Sequence, residues 1–185
     1  MNLRSISIMT ITAGLLTASA VAAAAQDGSA PTEQSEWVEG TSRIANYTDF
    51  GVTTVLDETK HLEQLRGRTY EGVVEASDPR VAGSSTGTLN QDTHVLPPDW
   101  VFPAVTLWGT ERIENDGGAW ECTYSGGDMA FGLTQTVSWC TGVDGYEGYA
   151  MRMISTKELE TGGNDWRALL WPGDLPPLPE PVPAP

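Results

Sequence analysis

The stretch from Trp108 to Gly127, "WGTERIENDGGAWECTYSGG", decides how this chain folds. Two runs of alternating character flank Asn115-Asp116-Gly117-Gly118, and Asp-Gly between such runs is a strong signal for a two-residue hairpin turn, with both central residues expected at positive φ. That turn sets Asn115 against Gly118, Ile113 against Trp120, Arg112 against Glu121 and Glu111 against Cys122. Side chains alternate across a strand, so the register sorts them into two faces. Leu107, Gly109, Glu111, Ile113, Trp120, Cys122 and Tyr124 share the inner face; Trp108, Thr110, Arg112, Glu114, Glu121 and Thr123 share the outer one. Arg112 and Glu121 then form an exposed cross-strand ion pair that contributes little. Glu111 is the exception among the acids. It stands with Ile113, Trp120 and Tyr124, where desolvation raises a carboxyl pKa unless a partner is near.

Outward from the hairpin, short β-type runs bounded by Gly, Pro and Asp clusters cover residues 69–77, 81–93, 133–141 and 146–155, with 36–44 as a first strand and 167–171 as a last. Eight short strands joined by tight turns predict an all-β chain, a single eight-stranded antiparallel barrel or sandwich. Only "DETKHLEQLRG", residues 57–67, has helical spacing, through Leu62 and Leu65.

The first 25 residues read as an export signal: Arg4, an apolar stretch from Ile6 to Val21, then small residues ending at Ala25. No membrane span is expected after cleavage. Residues 26–35 read as a flexible leader, 36–171 as the barrel domain and 172–185 as a disordered proline-rich tail with seven prolines. The expected location is therefore periplasmic or extracellular. A net charge of −15 repels phosphate backbones and argues against nucleic-acid partners.

Cys122 and Cys140, the only two cysteines, are expected to form a structural disulfide in an oxidising compartment. The alternation carries a tension. Cys140 shares its face with Thr134, Thr136 and Ser138 rather than with Leu133, Val137 and Trp139. Either a bulge switches the face or the barrel interior has a polar wall there. In the second case Glu111, Tyr124, Trp120 and Ser138 form the candidate ligand site, with Glu111 the candidate catalytic group.

"SDPRVAG" (77–83), "WGTERIENDGGAWEC" (108–122) and "TGVDGYEGYA" (141–150) resemble bacterial exported proteins of the allene oxide cyclase and dirigent-like barrel group, above all in Gly145-Tyr146-Glu147-Gly148. The resemblance covers roughly residues 36–155. It implies an eight-stranded barrel around a cavity for a small, largely apolar molecule, working without metal or organic cofactor. The polar water-holding residues of the cyclases have no counterpart by motif here, so the resemblance carries over no catalytic residue.

Other features receive plainer readings. His61 and His94, even with Asp92 or Asp99, lack metal-site spacing. The serines at 84 and 85 form no nucleophile elbow. Asp78-Pro79-Arg80 fits a turn whose Asp bonds the backbone beyond it. Of the seven tryptophans, Trp120 reads as core, Trp37, Trp166 and Trp171 as peripheral, and Trp108 and Trp139 as exterior cover or subunit contacts, which leaves a homo-oligomer open. Asn46-Tyr47-Thr48 is a glycosylation sequon set aside because the signal looks bacterial. Three functions fit: a binder of a small apolar or amphiphilic ligand, a cofactor-free cyclase or isomerase, and a structural or assembly module of the cell envelope.

Overall fold

A computed structural model describes residues 34–59, 62–94, 104–129, 133–158 and 163–177. The export signal, most of the leader and the end of the tail lie outside the described residues. Nine antiparallel strands run β1 (Glu36–Asp49), β2 (Val52–Asp57), β3 (Leu62–Ala76), β4 (Gly83–His94), β5 (Ala104–Asn115), β6 (Gly118–Met129), β7 (Leu133–Val143), β8 (Tyr149–Glu158) and β9 (Asn164–Pro172). Neighbours in sequence are neighbours in the sheet from β2 to β9. β1 then joins the ends, pairing with β9 over residues 36–42 and with β3 over residues 40–49. Eight strands close the barrel, and β2 stands outside the ring, continuing the path of β1 along β3.

The region given helical spacing is strand instead: Leu62–Gly67 opens β3 and pairs with both β2 and β4. Leu62 and Leu65 stand on opposite faces, and only Leu65 is fully buried. Gly67 takes φ 68° at a register shift between Leu65 and Arg68, a bulge that breaks the period-2 pattern by which the strand would be read.

The central hairpin has the expected register, from Asn115↔Gly118 to Glu111↔Cys122. Its turn is made differently. Neither Asp116 nor Gly117 has positive φ. The Asn115 carboxamide oxygen accepts the Gly117 N–H at 2.9 Å, so a side chain closes the turn.

The strand ends divide the barrel into a packed end and a hollow one. At the packed end, Val38, Val74, Val81, Ile113, Trp120, Met151, Trp166 and Leu170 form one buried cluster with the Cys122–Cys140 bridge. Trp166 is 2 % exposed and so belongs to this core rather than to the periphery. It faces Gly40 across the β1–β9 ladder, and a Cβ there would sit 2.4 Å from the indole. Trp37, 74 % exposed, is peripheral.

Three turns pack over this end. In the β3–β4 turn, Val81 N–H donates to Asp78 C=O and Arg80 N–H to the Asp78 carboxylate, with Pro79 between. Asn115 Nδ2 donates to the Ala82 carbonyl at 2.7 Å and lies within 3.3 Å of those of Pro79 and Arg80. Its Oδ1 accepts the Tyr146 hydroxyl at 2.6 Å. Tyr146 stacks on Trp120 at 5.4 Å, and Trp120 Nε1 donates to the Arg80 carbonyl.

Candidate functional site

Beyond that core the interior opens into a cavity of about 420 Å³. Leu89, Val105, Leu107 and Met153 supply apolar surface, and Thr134, Thr136, Ser138 and Ser155 supply hydroxyls. The hydroxyl wall resolves the cysteine tension. β6 and β7 pair without any register shift from Ala119↔Val143 to Met129↔Leu133, so Cys140 and the three polar residues before it face inward together. Cys122 and Cys140 are direct partners with Cα atoms 4.0 Å apart and a 2.04 Å S–S bond. No bulge is needed.

Glu111, Tyr124 and Ser138 line this cavity as the alternation predicts. Trp120 does not. It is 1 % exposed, packed beneath the cavity against Tyr146, and so supports the floor instead of touching the space. Two further residues were missed: Tyr70 of β3 and Ser85 of β4, whose hydroxyls lie beside the Glu111 carboxyl. Room for the phenols comes from glycines. A Cβ at Gly87 would lie 2.5 Å from the Tyr70 hydroxyl, and one at Gly109 would lie 2.7 Å from that of Tyr124. Glycine inside a strand often marks such close approach, which was the available signal.

Burial pushes the Glu111 carboxyl above the usual carboxylate range, opposed by the Ser85 and Tyr70 hydrogen bonds. It also pushes the Tyr70 and Tyr124 phenols well above theirs, with Glu111 adding to both. Tyr124 donates to the Thr88 carbonyl at 2.8 Å, and Tyr70 lies beside both the Tyr124 hydroxyl and the Glu111 carboxyl.

The remaining candidates stay apart from this group. Arg80 is held by Asp78 and Glu36, the latter at 2.7 Å, and lies 5.7 Å from the Tyr149 ring. Arg112 pairs on the outer surface with Glu121 at 3.1 Å, and also with Glu114 and Asp144. Asp92 pairs with Arg66 at 2.7 Å, while His94 is exposed; His61 and Asp99 lie outside the described residues. Among the described residues, no three His, Cys, Asp or Glu side chains converge as a metal site would require. No helix among them is long and apolar enough to cross a membrane.

No protein-family model matches the chain, nor does any curated protein or solved structure. The site's own geometry therefore carries the functional reading.

Proposed function

We propose that this protein is an exported barrel that holds a small amphiphilic ligand, apolar over most of its surface, in the barrel cavity. One observation carries the reading: a 420 Å³ space, closed below by a packed core, with Glu111, Tyr70 and Tyr124 gathered on its wall. Concave sites of this size with a few convergent polar groups are the usual form of small-molecule pockets. Export is supported by the signal-like N-terminus and the buried disulfide.

Titration with the neutral dye N-phenyl-1-naphthylamine tests the binding reading. Saturable fluorescence enhancement is expected, lost in Thr136→Trp, which fills the cavity from its wall. Absence of saturable binding, or equal binding by a folded Thr136→Trp variant, would overturn it.

The buried Glu111 carboxyl beside two phenols favours a second reading, a cofactor-free cyclase or isomerase of the kind the allene oxide cyclase resemblance implies. Glu111 would serve as acid or base, with Tyr70 and Tyr124 orienting it. Incubation with an unsaturated fatty-acid epoxide followed by product analysis is the test. A cyclised product that disappears in Glu111→Gln supports this reading, and no product, or one that survives the substitution, removes it.

A further inference from the structure

Among the described residues, β2 is the one strand with a single neighbour in the sheet: β3 lies along one edge and no strand along the other. The free edge continues into β1, whose pairing with β9 ends at Ser42↔Asn164. An unpaired edge presents N–H and C=O groups ready to bond another strand, and natural edges are commonly blunted by lysine or proline. From Ile44 to Asp57 this edge has no lysine, arginine or proline.

The same stretch gathers exposed apolar side chains. Phe50, Val52, Val55 and Leu56 are each half exposed or more, and the first five residues of β2 are exposed whichever face they occupy. The other large apolar side chains exposed among the described residues are Trp37, Ile44 and Trp139. Ile44 lines the cavity, and the two tryptophans stand on β1 and β7, away from the free strand. Four exposed apolar residues within seven positions along an open edge mark a contact surface, unlike single apolar residues scattered over an exterior.

Charge selects the occupant. The chain carries 25 acidic residues against 10 lysines and arginines, so a basic partner would be drawn to its acidic exterior at large. A second copy, as acidic as the first, meets least repulsion where acids are sparse. Between Ile44 and Asp57 the only charged residues are Asp49 and Asp57, which flank β2. Antiparallel pairing of identical strands is also self-complementary, because a twofold axis supplies each side with the same contacts. The two acids choose the register. Centred on Thr53, the pairing would set Asp49 against Asp57; centred on Val55, it would set Glu58 against Val52. Centred on Thr54, Asp57 falls opposite Gly51, Val52 opposite Leu56 and Thr53 opposite Val55, so no acid faces an acid.

We propose that two copies of this chain associate through antiparallel β2–β2 pairing, with Thr54 facing its own counterpart at the twofold axis. The two β2–β3 hairpins then form one continuous sheet joining two barrels. This association is independent of the cavity-binding reading.

Sedimentation equilibrium of the full chain, disulfide intact, should show a concentration-dependent monomer–dimer equilibrium. Thr54→Lys and Thr54→Glu each place like charges directly opposite one another and should weaken the dimer about fivefold, whereas an equal mixture of the two should recover wild-type affinity or better. Recovery on mixing separates a register contact from local unfolding. Under mild oxidation Thr54→Cys should form a covalent dimer about tenfold faster than Ser125→Cys, an exposed control on β6, because pairing raises the effective thiol concentration at the axis. A single chain at every concentration would overturn the proposal. So would a dimer that both charged variants leave intact, a mixture that associates no better than either variant alone, or equal cross-linking at the two positions.

Discussion

Replacing Glu111 with glutamine should stabilise this protein at neutral pH and flatten part of its pH dependence. The carboxyl sits inside the barrel with its pKa raised by burial from 4.5. In the unfolded chain it ionises near 4.5, so between that pH and its higher folded pKa the native state binds a proton that the unfolded state has lost. Unfolding stability then falls as pH rises, by up to about 1.4 kcal/mol per pH unit across that window, and levels off above the folded pKa. For a domain of this size that corresponds to roughly 3–5 °C in Tm per pH unit. Glutamine keeps the shape and the capacity to donate toward Tyr70, yet has no charge to bury. The assay is urea or thermal unfolding of both proteins, disulfide intact, at intervals from pH 4 to 8. The two should be similar at pH 4, with the wild type losing ground above it; the difference curve isolates Glu111 from groups of opposite sign such as Asp78, whose pKa Arg80 lowers. Parallel curves from pH 4 to 8 would refute the account, because they would mean that Glu111 is as well solvated folded as unfolded.

The packed end yields further expectations. Asn115→Ala removes the donor to the Ala82 carbonyl and the acceptor for Gly117 N–H and the Tyr146 hydroxyl. It should cost roughly 2–3 kcal/mol in urea unfolding, since partners are left unsatisfied at a partly buried site; a loss under 0.5 kcal/mol would show that water replaces it. Removing the disulfide by Cys122→Ala with Cys140→Ala frees a loop of 18 residues and should cost about 3 kcal/mol. Both cysteines are at most 4 % exposed, so reductant should cleave the native bridge far more slowly than the denatured one, a comparison made by thiol trapping.

Much of this fold was legible because its strongest local signal was also its most informative. Asp116-Gly117 fixed the register of β5 on β6, and register alone places Glu111 inside. The turn conformation was not legible, since a side chain, Asn115, supplies a bond that backbone preference did not require. Around Leu62 the sequence misled for a different reason: the bulge at Gly67 interrupts alternation, and the two leucines three apart imitate a helical face. Trp166 was misplaced because a position near the end of the chain says little about depth in a barrel whose last strand pairs with its first.

The candidate site was half legible. The polar face of Thr134, Thr136 and Ser138 looked inconsistent with a core, yet an unbroken β6–β7 ladder is what turns those hydroxyls inward. Their polarity is tolerable because they line a space instead of packing into one. Tyr70 and Ser85 lay beyond reach for want of long-range pairing: only the β3–β4 ladder brings Ser85 opposite Gly72 and Tyr70 opposite Gly87.

The stretches that carry the family resemblance share one place in the molecule. Asp78 and Arg80, Asn115 and Trp120, and Tyr146 from the three stretches join at the packed end through hydrogen bonds and one ring stack. Tyr146 fits there because Gly117, Gly118 and Gly142 leave it room, and a Cβ at any of them would approach within 3.0 Å of Tyr146 or its neighbours. Those motifs therefore close and support a barrel. The residues that face the cavity come mostly from positions outside them, on strand segments toward the other end, and among these are Leu89, Thr136 and Ser155. A barrel built on the same closed end could present a different wall, so ligand chemistry has to be argued from the wall residues and tested there.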